Sequence, residues 1–125
     1  MLVAPGDEVL KVEWLGGGWG CVTFSKVGQT PHGVKPWIDA AMATAALLYG
    51  KRTVGVLLSG MGRDGVEGLK QIKKAGGLTM AQDEETSLVY GMPKAAMEAG
   101  AADQVLPIDR IAGAIADAVR SLGDK

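Results

Sequence analysis

The sequence predicts an α/β fold with three layers (αβα), built on a mainly parallel, doubly wound, Rossmann-like sheet with an N-terminal antiparallel β-hairpin. The hairpin is predicted because two β-rich runs flank a triple glycine near the N-terminus. The parallel sheet is predicted because strand-like and helical patterns alternate three times from Thr53 onward. Thr53–Leu58 is almost wholly apolar, as expected of a strand that is covered on both faces.

The N-terminal part contains a short strand, a hairpin and one helix. Met1–Ala4 predicts the short strand, and Val9–Leu15 with Trp19–Ser25 predicts the hairpin. A helix is expected over Pro36–Tyr49, because proline suits a first helical turn and Gly50 follows as a stop. Its apolar residues recur near one face: Ile38, Met42, Ala45 and Tyr49.

The C-terminal part continues the alternation of helices and strands. The predicted elements, in order, are helix Gly65–Ala75, strand Leu78–Ala81, helix Pro93–Ala99, strand Gln104–Leu106 and a last helix capped by Asp109 and closed by Gly123. The sites of open α/β sheets lie at the carboxyl ends of such strands. We therefore look for chemistry in the segments that follow the strands.

Composition narrows the function classes. A chain of 125 residues with a net charge of −1 and no block of like charge favours one domain with no nucleic-acid or lipid partner. Cys21 is the only cysteine, which fits a reducing cytoplasm and excludes an intrachain disulfide. One cysteine and one histidine also argue against a structural zinc site. No apolar run reaches membrane-spanning length, so no membrane insertion is predicted.

The segment Ser59–Gly65 joins the apolar strand to a helix and carries one acid, Asp64. It also fits the pattern G-x-G-x-x-G, with Asp83 about 20 residues on, which leaves a dinucleotide-binding domain open. A carboxylate in a turn that must hold a pyrophosphate argues against that interpretation, because like charges repel at close range. Asp64 can also act simply as a helix cap.

Several motifs occur in the order seen in one enzyme family. They are Ala4–Asp7 (APGD), His32–Asp39 (HGVKPWID), Leu58–Gly65 (LSGMGRDG), Ala81–Glu84 (AQDE) and Val89–Ala96 (VYGMPKAA). Together they resemble the catalytic domain of the CheB-type chemotaxis protein-glutamate methylesterases. The resemblance runs from Met1 to about Ala118.

The resemblance implies serine-dependent hydrolysis of glutamyl methyl esters on chemoreceptor helices, by a Ser-His-Asp triad. Asp64 matches the position of the triad aspartate, and Met61 matches an active-site position whose backbone N–H can stabilise an oxyanion. No metal or organic cofactor is implied. The expected partners are the cytoplasmic helices of methylated chemoreceptors, and the expected compartment is the cytoplasm.

The family's serine and base histidine lie upstream of its APGD segment, so residues 1–125 are interpreted as a single, incomplete catalytic domain that is inactive alone. An internal triad of Ser59, His32 and Asp64 is the enzymatic alternative, although no spacing predicts that these residues meet. The second alternative is a non-catalytic signalling module of the same fold. Because part of the sheet would lack its cover, we expect a homodimer or a partner chain that supplies the missing segment.

Overall fold

The computed structural model describes residues 8–16, 19–26 and 37–123. In its N-terminal part, strand β1 (Glu8–Gly16) pairs antiparallel with strand β2 (Trp19–Lys26), with an irregular register between Trp14 and Gly16. The expected strand Met1–Ala4 and the sole histidine, at position 32, lie outside the described residues.

Residues 37–123 alternate between helices and strands. The elements are α1 (Trp37–Tyr49), a 3-10 helix (Gly50–Arg52), β3 (Val54–Leu57), α2 (Val66–Lys74), β4 (Leu78–Gln82), α3 (Met92–Glu98), β5 (Gln104–Leu106) and α4 (Ile108–Gly123). Apart from the 3-10 helix, which was not predicted, they occur in the predicted order, with ends that differ from the predictions by at most two residues. None of the helices in this part of the chain is both long and apolar enough to cross a bilayer.

Strands β3, β4 and β5 form one parallel sheet in that spatial order. One sheet face carries Leu57 and Ala81, which pack with α2 and α3, whereas α4 packs on β3 and β4 from the opposite face. These layers confirm the predicted αβα class. Among the described strands, β3 and β5 form the edges of the sheet, and β3 has no strand beside it on the side away from β4.

The core between the sheet and α2 is built from aliphatic side chains at helical spacing. Val66, Leu69 and Ile72 of α2 are almost completely buried, as their spacing predicts. Burying each such side chain stabilises the fold by about 1.5–3 kcal/mol. Helix α1 adds Ile38 and Met42 to the same core.

Helices α1 and α2 approach each other closely at Gly68. A Cβ atom at this position would lie 2.6 Å from the Cβ of Met42 and 3.1 Å from the Cα of Asp39. Any larger residue would push the two helices apart. This close approach brings the N-terminal turns of α1 and α2 together.

Candidate active site

Two segments meet at the carboxyl end of the sheet. We call residues 58–65, between β3 and α2, the glycine turn, and residues 83–91, between β4 and α3, the β4–α3 loop. Gly60 pairs with Tyr90 in an isolated parallel bridge, and its N–H donates to the Val89 carbonyl at 2.9 Å. The predicted location of the site, after neighbouring parallel strands, therefore coincides with a junction between two loops.

The junction is tight enough to require a glycine at position 91. A Cβ atom there would lie 2.6 Å from the carbonyl oxygen of Gly60 and 3.1 Å from the Cα of Met61. The carbonyl of Gly60 also accepts the N–H of Gly91 at 3.1 Å and that of Met92 at 2.8 Å. The start of α3 thus holds the backbone that carries Met61.

Ser59 is bonded into this junction through its hydroxyl. Its Oγ accepts the N–H of Val89 at 2.8 Å and donates to the carbonyl of the same residue at 3.2 Å. A nucleophilic serine must instead present its Oγ to a base. The geometry gives Ser59 a structural role and does not support an internal triad.

Asp64 binds the N-terminus of α1. Its Oδ2 accepts the N–H of Ile38 at 2.9 Å, and its Oδ1 accepts the N–H of Asp39 at 3.0 Å. Asp64 therefore caps α1. The N-cap residue of the helix that follows Asp64, α2, is Gly65, which has no side chain to cap it. The amides and dipole of α1 stabilise the ionised carboxylate. An ionised carboxylate offers about four acceptor positions, so these two bonds leave capacity for a further donor.

Asp39 makes the complementary contact. Its Oδ1 accepts the N–H of Gly65 at 2.9 Å and that of Gly68 at 2.8 Å. These amides at the start of α2 are the donors that a bound pyrophosphate would need. Because a carboxylate already occupies them, the geometry does not favour the dinucleotide interpretation.

Asp83, which would bind the ribose in the dinucleotide interpretation, is already hydrogen-bonded within its own loop. Its Oδ1 accepts the backbone N–H of Thr86 at 3.0 Å and the hydroxyl of Thr86 at 2.6 Å. Its carbonyl accepts the hydroxyl of Ser87 at 2.6 Å. These bonds form a local turn at the beginning of the β4–α3 loop.

Met61 lies at the outer part of the glycine turn, with its side chain 83% exposed. Its backbone N–H donates to no acceptor in the part of the chain that the structure describes. The next residue, Gly62, has a φ of +93°, a conformation that favours glycine. Among the residues that the structure describes, this N–H thus remains available as a donor to a ligand.

Two residues of the site received no role from the sequence. Asp39 and Gln82 both lie inside the quoted motifs, but neither has a neighbour in sequence that reveals its partner. Asp39 is an acid in a first helical turn, and Gln82 is a polar residue, 3% exposed, at the end of a buried strand. A buried polar side chain needs hydrogen-bond partners, so a polar residue at either position indicates a hydrogen bond. Which residue is the partner depends on the fold.

The described residues contain no cluster of three or more His, Cys, Asp or Glu side chains that could hold a metal ion. A cavity of about 480 Å³ lies at the other end of the sheet, between the starts of β3 and β4 and the end of α4. Lys51, Arg52 and Ser121 are among its lining residues, which include no acid. Asp64 and the Met61 N–H, which has no acceptor in the described ranges, are both at the carboxyl end, which we take as the candidate site.

The chain is similar to proteins of one enzyme family. A family model described as CheB methylesterase matches residues 1–115. The chain is similar to the protein-glutamate methylesterase/protein-glutamine glutaminase of Pyrococcus abyssi (49% identity, 96% of this chain, 32% of the relative). It is also similar to the protein of the same name from Moorella thermoacetica (56% identity, 98% of this chain, 28% of the relative).

A solved structure has the same fold. The Thermotoga maritima CheB methylesterase catalytic domain superposes with a TM-score of 0.79 at 39% identity, over 86% of this chain and 56% of that domain. The chain thus spans about a third of the length of the curated relatives quoted above and little more than half of the solved domain.

Proposed function

The chain belongs to the CheB methylesterase family, and from this membership we propose that Asp64 is the acid of a Ser-His-Asp site that hydrolyses glutamyl methyl esters on chemoreceptors. The observation that carries the proposal is the pair of hydrogen bonds from the α1 amides to the Asp64 carboxylate. They hold the acid at the carboxyl end of the sheet and leave lone pairs for the N–H of an imidazole.

The chemistry follows the division of labour of such triads. The serine Oγ attacks the ester carbonyl while the histidine takes its proton, and the histidine then gives this proton to the departing methoxide, which leaves as methanol. Water hydrolyses the acyl-serine by the reverse proton transfers, which leaves a glutamate side chain and the free serine. Asp64 remains ionised throughout, orients the imidazole and stabilises its positive charge. The dipole of α1 supports this ionised state.

Met61 supplies the second element of the proposal. The tetrahedral intermediate carries a negative oxygen that needs hydrogen-bond donors in a fixed position. The N–H of Met61 has no acceptor among the described residues, and the Gly60–Gly91 junction holds its backbone in place. We assign this N–H to the oxyanion.

The 125 residues alone do not turn over an ester in this proposal. The hydroxyl of Ser59 is bonded to Val89, so it is not the nucleophile. The serine and the histidine come from a polypeptide segment outside these residues, and the chain acts in the cytoplasm on receptor helices. The edge of β3 that has no neighbouring strand among the described residues is where we expect a partner segment or a second copy to associate.

Complementation tests the proposal. The chain is mixed with the part of the Moorella thermoacetica relative that precedes its matched region, and methanol release from a methylated receptor fragment is measured. We expect turnover in the mixture, none from either component, and loss of turnover with Asp64→Ala. Asp109→Ala is the control, because Asp109 is an exposed acid in the first turn of α4. Full turnover by the Asp64→Ala mixture, or turnover by the chain alone that Ser59→Ala abolishes, contradicts the proposal.

A non-catalytic interaction module is the second candidate. The observation that favours it is a set of exposed apolar side chains on the glycine turn and the β4–α3 loop: Leu58, Met61, Leu88 and Val89. Exposed apolar patches are typical of protein contacts. Binding of the receptor fragment by the mixture without methanol release selects this function over hydrolysis.

A further inference from the structure

The N-termini of α1 and α2 cap each other. Asp39, in the first turn of α1, binds the amides of Gly65 and Gly68 with one oxygen. Asp64, just before α2, binds the amides of Ile38 and Asp39. The backbone N–H of Asp39 therefore donates to Asp64, and the side chain of Asp39 binds Gly65, the residue that follows Asp64. We call these four bonds the reciprocal cap.

We propose that Asp39 is a positioning residue for Asp64. The inference rests on the proposed function, in which Asp64 must present its carboxylate to an imidazole. By binding Gly65, Asp39 fixes the backbone from which the side chain of Asp64 projects. Misplacing a catalytic group by as little as 1 Å costs a large factor in rate, so a residue that never touches substrate can still set turnover.

The surroundings of Asp39 leave it little freedom. Its Cα and its carbonyl oxygen would each lie 3.1 Å from a Cβ at Gly68, so the backbones of α1 and α2 are in contact there. Gly65, whose N–H donates to the Asp39 carboxylate, has a φ of +99°, a conformation that other residues rarely adopt. Neither helix can shift without breaking part of the reciprocal cap.

The two carboxylates use their oxygens differently, and this distinguishes them experimentally. Both side-chain bonds of Asp39 go to Oδ1, so asparagine can accept them with its amide oxygen. Asp64 uses both of its oxygens, so asparagine would turn an NH₂ group toward a backbone N–H. Rescue by asparagine is thus predicted at position 39 and excluded at position 64.

Amide exchange tests the positioning role without any assay of activity. In the 125-residue chain, Asp39→Ala should lower the protection factor of the Ile38 amide about tenfold, the size of effect that losing a helix cap produces. Asp39→Asn should leave it within about twofold, and the control Asp109→Ala should not change it. An unchanged Ile38 amide in Asp39→Ala overturns the proposal. If that variant does not fold, Asp39→Asn decides: retained protection supports the proposal, and a tenfold loss overturns it.

The complemented esterase provides the second test. Asp39→Ala should lower kcat about tenfold while KM stays within about twofold, because the variant displaces the acid and not the substrate. Asp39→Asn should restore kcat. A wild-type mixture without turnover defeats the proposed function and leaves the amide measurement to decide the role of Asp39. A working wild-type mixture whose kcat is unchanged by Asp39→Ala defeats the positioning role alone.

Discussion

The side-chain oxygen of Gln82 accepts the backbone N–H of Ser59 at 2.8 Å, and this bond joins the ends of two neighbouring strands. The amide nitrogen of the same side chain donates to the carbonyl of Thr86 at 2.7 Å. Because Gln82 is 3% exposed, neither bond can be replaced by bulk water. One buried amide therefore holds the glycine turn and the β4–α3 loop in register.

Replacing Gln82 by leucine should destabilise the chain. The substitution leaves the N–H of Ser59 and the carbonyl of Thr86 without their partners, at a cost of about 1–3 kcal/mol in the free energy of unfolding. Urea unfolding followed by circular dichroism measures the change. Gln71→Leu on the exposed side of α2 is the control and should stay within about 0.5 kcal/mol. Equal effects of the two variants would contradict the structural role of Gln82.

Two glycine-to-alanine substitutions should change the free energy of unfolding in opposite directions. At Gly91 the added Cβ meets the Gly60 carbonyl oxygen, so we expect a loss of about 1–3 kcal/mol in the free energy of unfolding. At Gly113, within α4, no atom outside that helix's nearby backbone lies within 4 Å of the added Cβ. Alanine there should therefore stabilise the chain by up to about 1 kcal/mol through helix propensity. Thermal melts of both variants check the prediction, which fails if Gly91→Ala melts at or above wild type.

Removing the hydroxyl of Ser59 should affect stability and not chemistry. Ser59→Ala loses both side-chain bonds to Val89 and should lower the free energy of unfolding by about 1 kcal/mol. In the complemented esterase its kcat should equal that of wild type below the melting transition. A large drop in kcat with unchanged stability would instead support Ser59 as the nucleophile.

Asp64→Asn should remove turnover from the complemented esterase. The substitution removes the charge that stabilises an imidazolium, and in triad hydrolases such a change lowers kcat about 10⁴-fold. It also turns an NH₂ group toward an α1 amide, so the melting temperature should fall. Methanol release and thermal denaturation are measured on the same preparation. Asp109→Asn should change neither quantity.

The edge of β3 that faces away from β4 should make the chain associate with a second copy or with the added segment. An unpaired strand edge is a template for another strand. Among the described strands, β3 pairs with β4 on one side and with no strand on the other side. Light scattering across a range of protein concentrations should therefore detect a dimer or a complex with the added segment. A monodisperse monomer at every concentration is the result that removes this expectation.

The regular elements were predictable because their signals are local. Val66, Leu69 and Ile72 show their helical spacing within one nine-residue helix, and the structure buries all three. Signals at helix ends were weaker. Asp109 lies in the first turn of α4 rather than at its cap, and Tyr49, expected on the inner face of α1, is 41% exposed beside the 3-10 helix.

The contacts of the site were harder to predict because they join distant segments. The motif pointed to Asp64, but its partners at Ile38 and Asp39 are 26 and 25 positions away. The alternative role of Asp64 as a cap concerned the helix that follows it, whereas in the structure Asp64 caps α1. Spacing along a chain carries no information on which helix N-terminus lies nearest in space, since that depends on the packing around Gly68.

The mutual contact of α1 and α2 also has a consequence for the order of assembly. Neither acid reaches its final place until both helices have formed and met, so a chain in which α1 has detached carries a charged but misdirected residue 64. The proposed hydrolytic site would therefore be lost when α1 separates from α2, even with strands β3, β4 and β5 still paired.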